Sequence, residues 1–146
     1  MKFKLKGVEG EISNSDIRNI IDTFVELLTI DEMIVSVEVF GGLVRNPDNV
    51  HGDIDLLITL GELPKESTEK VLRKVADEWK SLVDKRPELA LIDCFFTDGE
   101  VVVSFQYNLD FLQVFQVTTT PKEGGLDDDD THIYIGEKRK VSEIFP

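Results

Sequence analysis

The chain has 146 residues, 41% hydrophobic and 31% charged, which fits one globular domain spanning 1–146 with no apparent internal repeat. Its 29 acidic residues against 16 basic ones give a formal net charge of −13, and that field repels phosphate backbones, so a long nucleic acid is not an expected partner. The basic start Met1–Lys6 has no apolar stretch after it, and no segment approaches the about 18 apolar residues of a membrane span, so a cytoplasmic protein without a membrane partner is expected.

Phe3 and Leu5 alternate with lysines before Gly7 and Gly10, which predicts a short N-terminal strand or hairpin that carries no chemistry. Ser13, Asn14 and Ser15 offer N-cap side chains, and Ile17, Ile20, Ile21, Phe24, Val25 and Leu28 recur at helical spacing, so a first helix follows. The β-branched run Met33–Phe40 predicts a strand ending at the pair Gly41-Gly42, and a second strand is expected over Asp53–Leu60. Beyond Gly61 and Pro64, the residues Val71, Leu72, Val75, Trp79, Leu82 and Val83 mark the apolar face of a second helix, which Pro87 stops. Trp79 is expected in the core.

Leu89–Phe96 reads as a third strand in which the single cysteine, Cys94, is a small buried hydrophobe, and this argues against redox chemistry. The Asp98-Gly99 pair favours a tight hairpin into Val101–Gln106. Phe111–Val117 is apolar, and strand or short helix stays open there. The stretch 118–130, with Pro121, a glycine pair and four consecutive aspartates, predicts a solvated loop; His132–Ile135 then returns to the sheet before a charged C-terminal tail. The order of elements predicts an α/β (α+β) domain, a mixed β-sheet with helices packed on it.

Chemistry concentrates in the middle of the chain. Strand alternation puts Asp53, Asp55 and Leu57 on one face of Asp53–Leu60 and Ile54, Leu56 and Ile58 on the other. Neighbouring carboxylates repel, and beside an apolar sheet one takes up a proton unless a divalent cation holds both ionised. Mg²⁺ suits the pair because it takes hard oxygen ligands, often carboxylates together with substrate phosphates. Asp93 is the only charged residue in Leu89–Phe96 and shares its face with Leu91 and Phe95. If that strand pairs beside Asp53–Leu60, the three acids converge on one patch that faces the glycine pair.

Phe40, Gly41-Gly42, a ten-residue spacer, Asp53-Ile54-Asp55 and the later strand acid Asp93 resemble the signature of the nucleotidyltransferase superfamily typified by DNA polymerase beta. The string Gly41-Gly42-Leu43-Val44-Arg45 also looks like the start of the CCA-adding and bacterial poly(A) polymerase branch. That branch continues with an acid and a leucine-rich segment where this chain has Asn46 and Pro47, and the residues after Asp93 are too few for its helical extensions. The resemblance is therefore to the catalytic core, over about Ile34 to Phe96, and minimal nucleotidyltransferases are the closer analogy.

The resemblance implies a nucleotidyltransferase fold and transfer of a nucleoside monophosphate from a nucleoside triphosphate, typically ATP, to an acceptor hydroxyl with release of pyrophosphate. In that reading Asp53 and Asp55 bind two Mg²⁺ ions bridging the triphosphate, and Asp93 completes the metal site at the acceptor hydroxyl and takes its proton. Gly41 and Gly42 let backbone N–H groups approach phosphates, and Arg45 is the nearest permanent cation for a bidentate phosphate contact. His51 and Asp127–Asp130 are read as solvated. The alternative is a catalytically silent nucleotidyltransferase-fold binding module or antitoxin that acts by pairing with a small helical protein partner.

Overall fold

The computed structural model describes residues 1–27, 34–61, 65–105, 112–118 and 132–146. Two strands, β1 (Lys2–Leu5) and β2 (Val8–Glu11), form the N-terminal hairpin, followed by α1 (Asn14–Leu27). Next come β3 (Ile34–Phe40), a single-turn α2 (Gly42–Arg45), β4 (Ile54–Leu60), α3 (Lys65–Lys85) and a 3₁₀ turn over Pro87–Leu91. The chain continues through β5 (Ile92–Thr97), β6 (Val101–Phe105), β7 (Leu112–Thr118), β8 (His132–Tyr134), β9 (Arg139–Lys140) and α4 (Val141–Ile144). Apart from the hairpin, the described strands form one mixed sheet in the order β8-β7-β6-β5-β4-β3-β9. The expected α/β (α+β) architecture is present at that level.

Local chemistry accounts for the elements near the site. Ser13 Oγ accepts the Asp16 N–H at 3.1 Å and caps α1. Pro87 follows α3 and sits at the start of the 3₁₀ turn, so Leu89 and Leu91 belong to that turn and the third predicted strand begins at Ile92 rather than Leu89. The hairpin after β5 is held by Asp98 Oδ1, which accepts the N–H groups of Glu100 and Val101, and Gly99 takes φ +102°. The segment left open between helix and strand is β7. Its partner β6 supplies an antiparallel ladder from Val101↔Gln116 to Phe105↔Leu112, and that pairing decides for strand.

Among the described residues, the helices pack on one face of the sheet. Ile17, Ile20, Ile21 and Phe24 of α1, with Trp79 and Val83 of α3, pack on Val39, Ile54, Leu56, Ile58, Cys94 and Phe96. Phe24 and Trp79 meet edge to face, ring centroids 4.2 Å apart, a geometry worth about 0.5–1.5 kcal/mol beyond burial. Phe145 joins this core at 2% exposure, so the C-terminal segment is not the charged tail its sequence suggests: it adds β9 to the edge of β3 and seats an aromatic ring. The opposite face carries a smaller cluster, Phe40, Leu57, Phe95, Val102, Ile133 and Ile135.

The sheet is strongly curled towards this second face. β8 and β9 lie at opposite edges, yet only residues 135–138 join them. Five chain steps reach about 18 Å at most, whereas six strand spacings in a flat sheet measure about 29 Å. Residues 135–138 therefore strap across the concave face, with Ile135 seated among the residues of the second cluster. The loop expected over 118–130 lies outside the described residues except for Thr118, which ends β7.

Candidate metal centre

β4 and β5 run parallel with Asp55 directly opposite Asp93 and Leu57 opposite Phe95. On its other side β4 pairs antiparallel with β3, which sets Phe40 opposite Asp55. Leu57, Phe95 and Phe40 belong to the concave-face cluster, so Asp55 and Asp93 lie on that face, away from the helices. Asp53 departs from expectation: it stands in the loop one residue before β4 and is exposed. Its carboxylate still joins the other two. One oxygen from each of Asp53, Asp55 and Asp93 lies within 4.8 Å of the others.

The electrostatics of the group follow from that proximity. Burial, the charge of Asp53 and a hydrogen bond shared with Asp53 raise the Asp93 carboxyl from 3.8 to about 7. A cluster of three acids that retains a proton near neutrality is short of positive charge, and a hard divalent cation supplies it with the oxygen ligands such ions prefer. The residues present thus fit Mg²⁺ by donor type. Cys94, on the other face of β5, is fully buried, and burial with the Asp93 charge pushes its thiol well above the usual range; it is inert packing.

The glycine pair divides into two different roles. Gly41 has φ +76°, in the region that favours glycine, and a Cβ there would collide with Asp55 Oδ2. The turn and the Asp55 carboxylate are therefore built against each other. Gly42 opens α2, and a Cβ on it would meet His51 Nδ1 at 3.4 Å, an ordinary contact. The first backbone donors committed within this turn are Val44 and Arg45, both to Gly41 O at 3.1 Å, which leaves Gly42 and Leu43 as the N–H groups at its open end. Arg45 is exposed at the end of α2 and makes no ion pair among the described residues.

Sequence reading missed the supports around the acids. His51 is held, not simply solvated: its Nε2 is 2.8 Å from Asn46 O. The N-terminal hairpin, expected to carry no chemistry, clamps the same loop through Lys4 N–H to His51 O at 3.0 Å and His51 N–H to Lys2 O at 3.1 Å. Further along the concave face, a cavity of about 530 Å³ lies between the upper sheet (Leu57, Thr59, Thr97, Val102) and the strap (Tyr134 to Lys138). Ser104 faces the same side, opposite Phe95, and its buried Oγ has no hydrogen-bond partner among the described residues. The one usable sequence signal for these was the apolar run at His132–Ile135.

No family model matches this chain, and neither a curated protein nor a solved structure matches it. Among the described residues no helix is long and apolar enough to cross a membrane.

Proposed function

We propose that the protein is a Mg²⁺-dependent nucleotidyltransferase with a nucleotidyltransferase fold, moving a nucleoside monophosphate from a nucleoside triphosphate such as ATP to an acceptor hydroxyl. The observation that carries this reading is the convergence of Asp53, Asp55 and Asp93 to within 4.8 Å on the face opposite the helices, with the Gly41 turn packed on Asp55. Asp53 and Asp55 hold the metal; Asp93 completes the site and takes the proton of the attacking hydroxyl as the bond to the leaving pyrophosphate breaks. Bound Mg²⁺ supplies electrostatic stabilisation of charge developing on the phosphoryl oxygens. The backbone N–H groups of Gly42 and Leu43 and the Arg45 guanidinium approach the phosphates.

Calorimetric titration of a non-hydrolysable ATP analogue into wild type and Asp53→Asn, with Mg²⁺ and with chelator, tests the reading. Binding that needs both Mg²⁺ and Asp53 is the expected result and justifies a screen of hydroxyl acceptors. Absence of binding under every condition defeats it and favours a fold-only module that acts by pairing with a protein partner.

A further inference from the structure

Lys138 stands on the acid-bearing face, its Nζ beside Glu38 at the level of Leu57, two residues along β4 from Asp55. β9 pairs antiparallel with β3 in the register Glu38↔Lys140 and Val39↔Arg139. Val39 packs into the helix-side core, so Arg139 is on that side, and the residues that alternate with it, Lys138 and Lys140, return to the concave face. Glu38 belongs to the same face, because it lies opposite Leu57, and the Lys138 Nζ stands 3.7 Å from its Oε1. One step beyond Val39, Phe40 is level with Asp55, and Asp55 is level with Asp93. Two strand spacings, about 10 Å of backbone, thus separate the Lys138 edge from Asp55, and the curl of the sheet brings that edge inward.

We infer that Lys138 binds the terminal phosphates of the nucleoside triphosphate, an assignment that rests on the nucleotidyltransferase reading above. The electrostatic need is specific. Three carboxylates in a chain of net charge −13 attract a cation but oppose a triphosphate, whose far end projects beyond whatever charge the metal neutralises. Lys138 offers a compact cation with three donors at the rim of the concave face. Its contact with Glu38 is long and its side chain is 43% exposed, so that ion pair is worth little and gives way readily to phosphate oxygens. Glu38 parks the lysine; it does not consume it.

Two roles for Lys138 predict opposite partners. If the lysine only anchors the strap through Glu38, then Lys138→Gln and Glu38→Gln lose the same ion pair and behave alike. If it binds phosphate, Lys138→Gln weakens the ligand while Glu38→Gln frees the lysine and removes a like charge. The experiment titrates a non-hydrolysable ATP analogue and AMP, each with Mg²⁺, into wild type, Lys138→Gln, Lys138→Arg and Glu38→Gln. The expected result is an affinity for the ATP analogue about tenfold lower in Lys138→Gln, as for one lost charge-assisted hydrogen bond, with AMP unchanged. Lys138→Arg retains the affinity and Glu38→Gln equals or exceeds wild type. An unaltered ATP-analogue to AMP ratio in Lys138→Gln, or equal losses in the glutamine variants of Lys138 and Glu38, overturns the assignment while the metal site stands. Failure of wild type to bind either nucleotide overturns both the assignment and the reading beneath it.

Discussion

Asp55 and Asp93 stand directly opposite each other on neighbouring parallel strands, and Asp53 closes the triangle from the loop that enters β4. A parallel pair needs a crossover, which α3 provides, so residues nearly forty positions apart in the chain become lateral neighbours. Burial of the Asp93 carboxyl, with the Asp53 charge and hydrogen bond beside it, is the property from which the first expectation follows.

Metal-free protein should lose stability as pH rises. The folded state holds the Asp93 proton up to about pH 7, whereas the unfolded carboxyl releases it near 3.8, so between those values the folded state binds more protons. The contribution of this group is fully present below about 3.8 and is lost as pH passes 7. Melting temperatures in chelator should fall across this window, Asp93→Asn should flatten the fall, and stabilisation by Mg²⁺ should grow with pH because the ion prefers the ionised ligands. A melting temperature independent of pH in the wild type, with or without Mg²⁺, would contradict this account of the cluster.

Alanine should distinguish the two glycines. Gly41→Ala meets a positive φ and the Asp55 carboxylate together, and we expect more than about 1 kcal/mol of destabilisation with loss of Mg²⁺-dependent nucleotide binding. Gly42→Ala meets only His51 Nδ1 at ordinary contact distance and should fold as wild type does. Urea melts of both variants, followed by nucleotide titration, make the comparison.

Ser104→Ala should stabilise the unliganded protein by about 1 kcal/mol, because it deletes a buried hydroxyl that finds no partner among the described residues. A substantial loss of stability instead would show that the hydroxyl is satisfied, for example by ordered water. Chemical denaturation of the two proteins at one pH reads this directly.

Phe145→Ala should cost about 3–5 kcal/mol, the penalty of emptying an aromatic site in a packed core, although it lies next to the last residue of the chain. The loss should extend to the site: β9 pairs with β3 beside Glu38, so unseating Phe145 should also weaken triphosphate binding through Lys138. Equilibrium unfolding and nucleotide titration of the same variant measure both effects.

Elements whose signal is local could be read from the chain directly. Helical spacing from Ile17 to Phe24, a β-branched run into Gly41, and an Asp-Gly turn each state their geometry within a few residues, and the two-residue alternation of β4 set Asp55 and Leu57 against Leu56 and Ile58. Even the grouping of Asp53, Asp55 and Asp93 was legible, because a lone acid in an apolar strand and an Asp-x-Asp beside a glycine turn are each unusual. Features that depend on pairing between distant segments emerged only with the fold. β7 resolved as a strand because β6 was there to bond with it, and the start of β5 moved to Ile92 because the chain first had to turn at Pro87. The charged C-terminal stretch became an edge strand, a core anchor and the carrier of Lys138. Nothing local in Lys138-Arg139-Lys140 distinguishes it from a solvated tail; its place along the edge of β3 comes from a curled sheet whose two edges a four-residue strap can join.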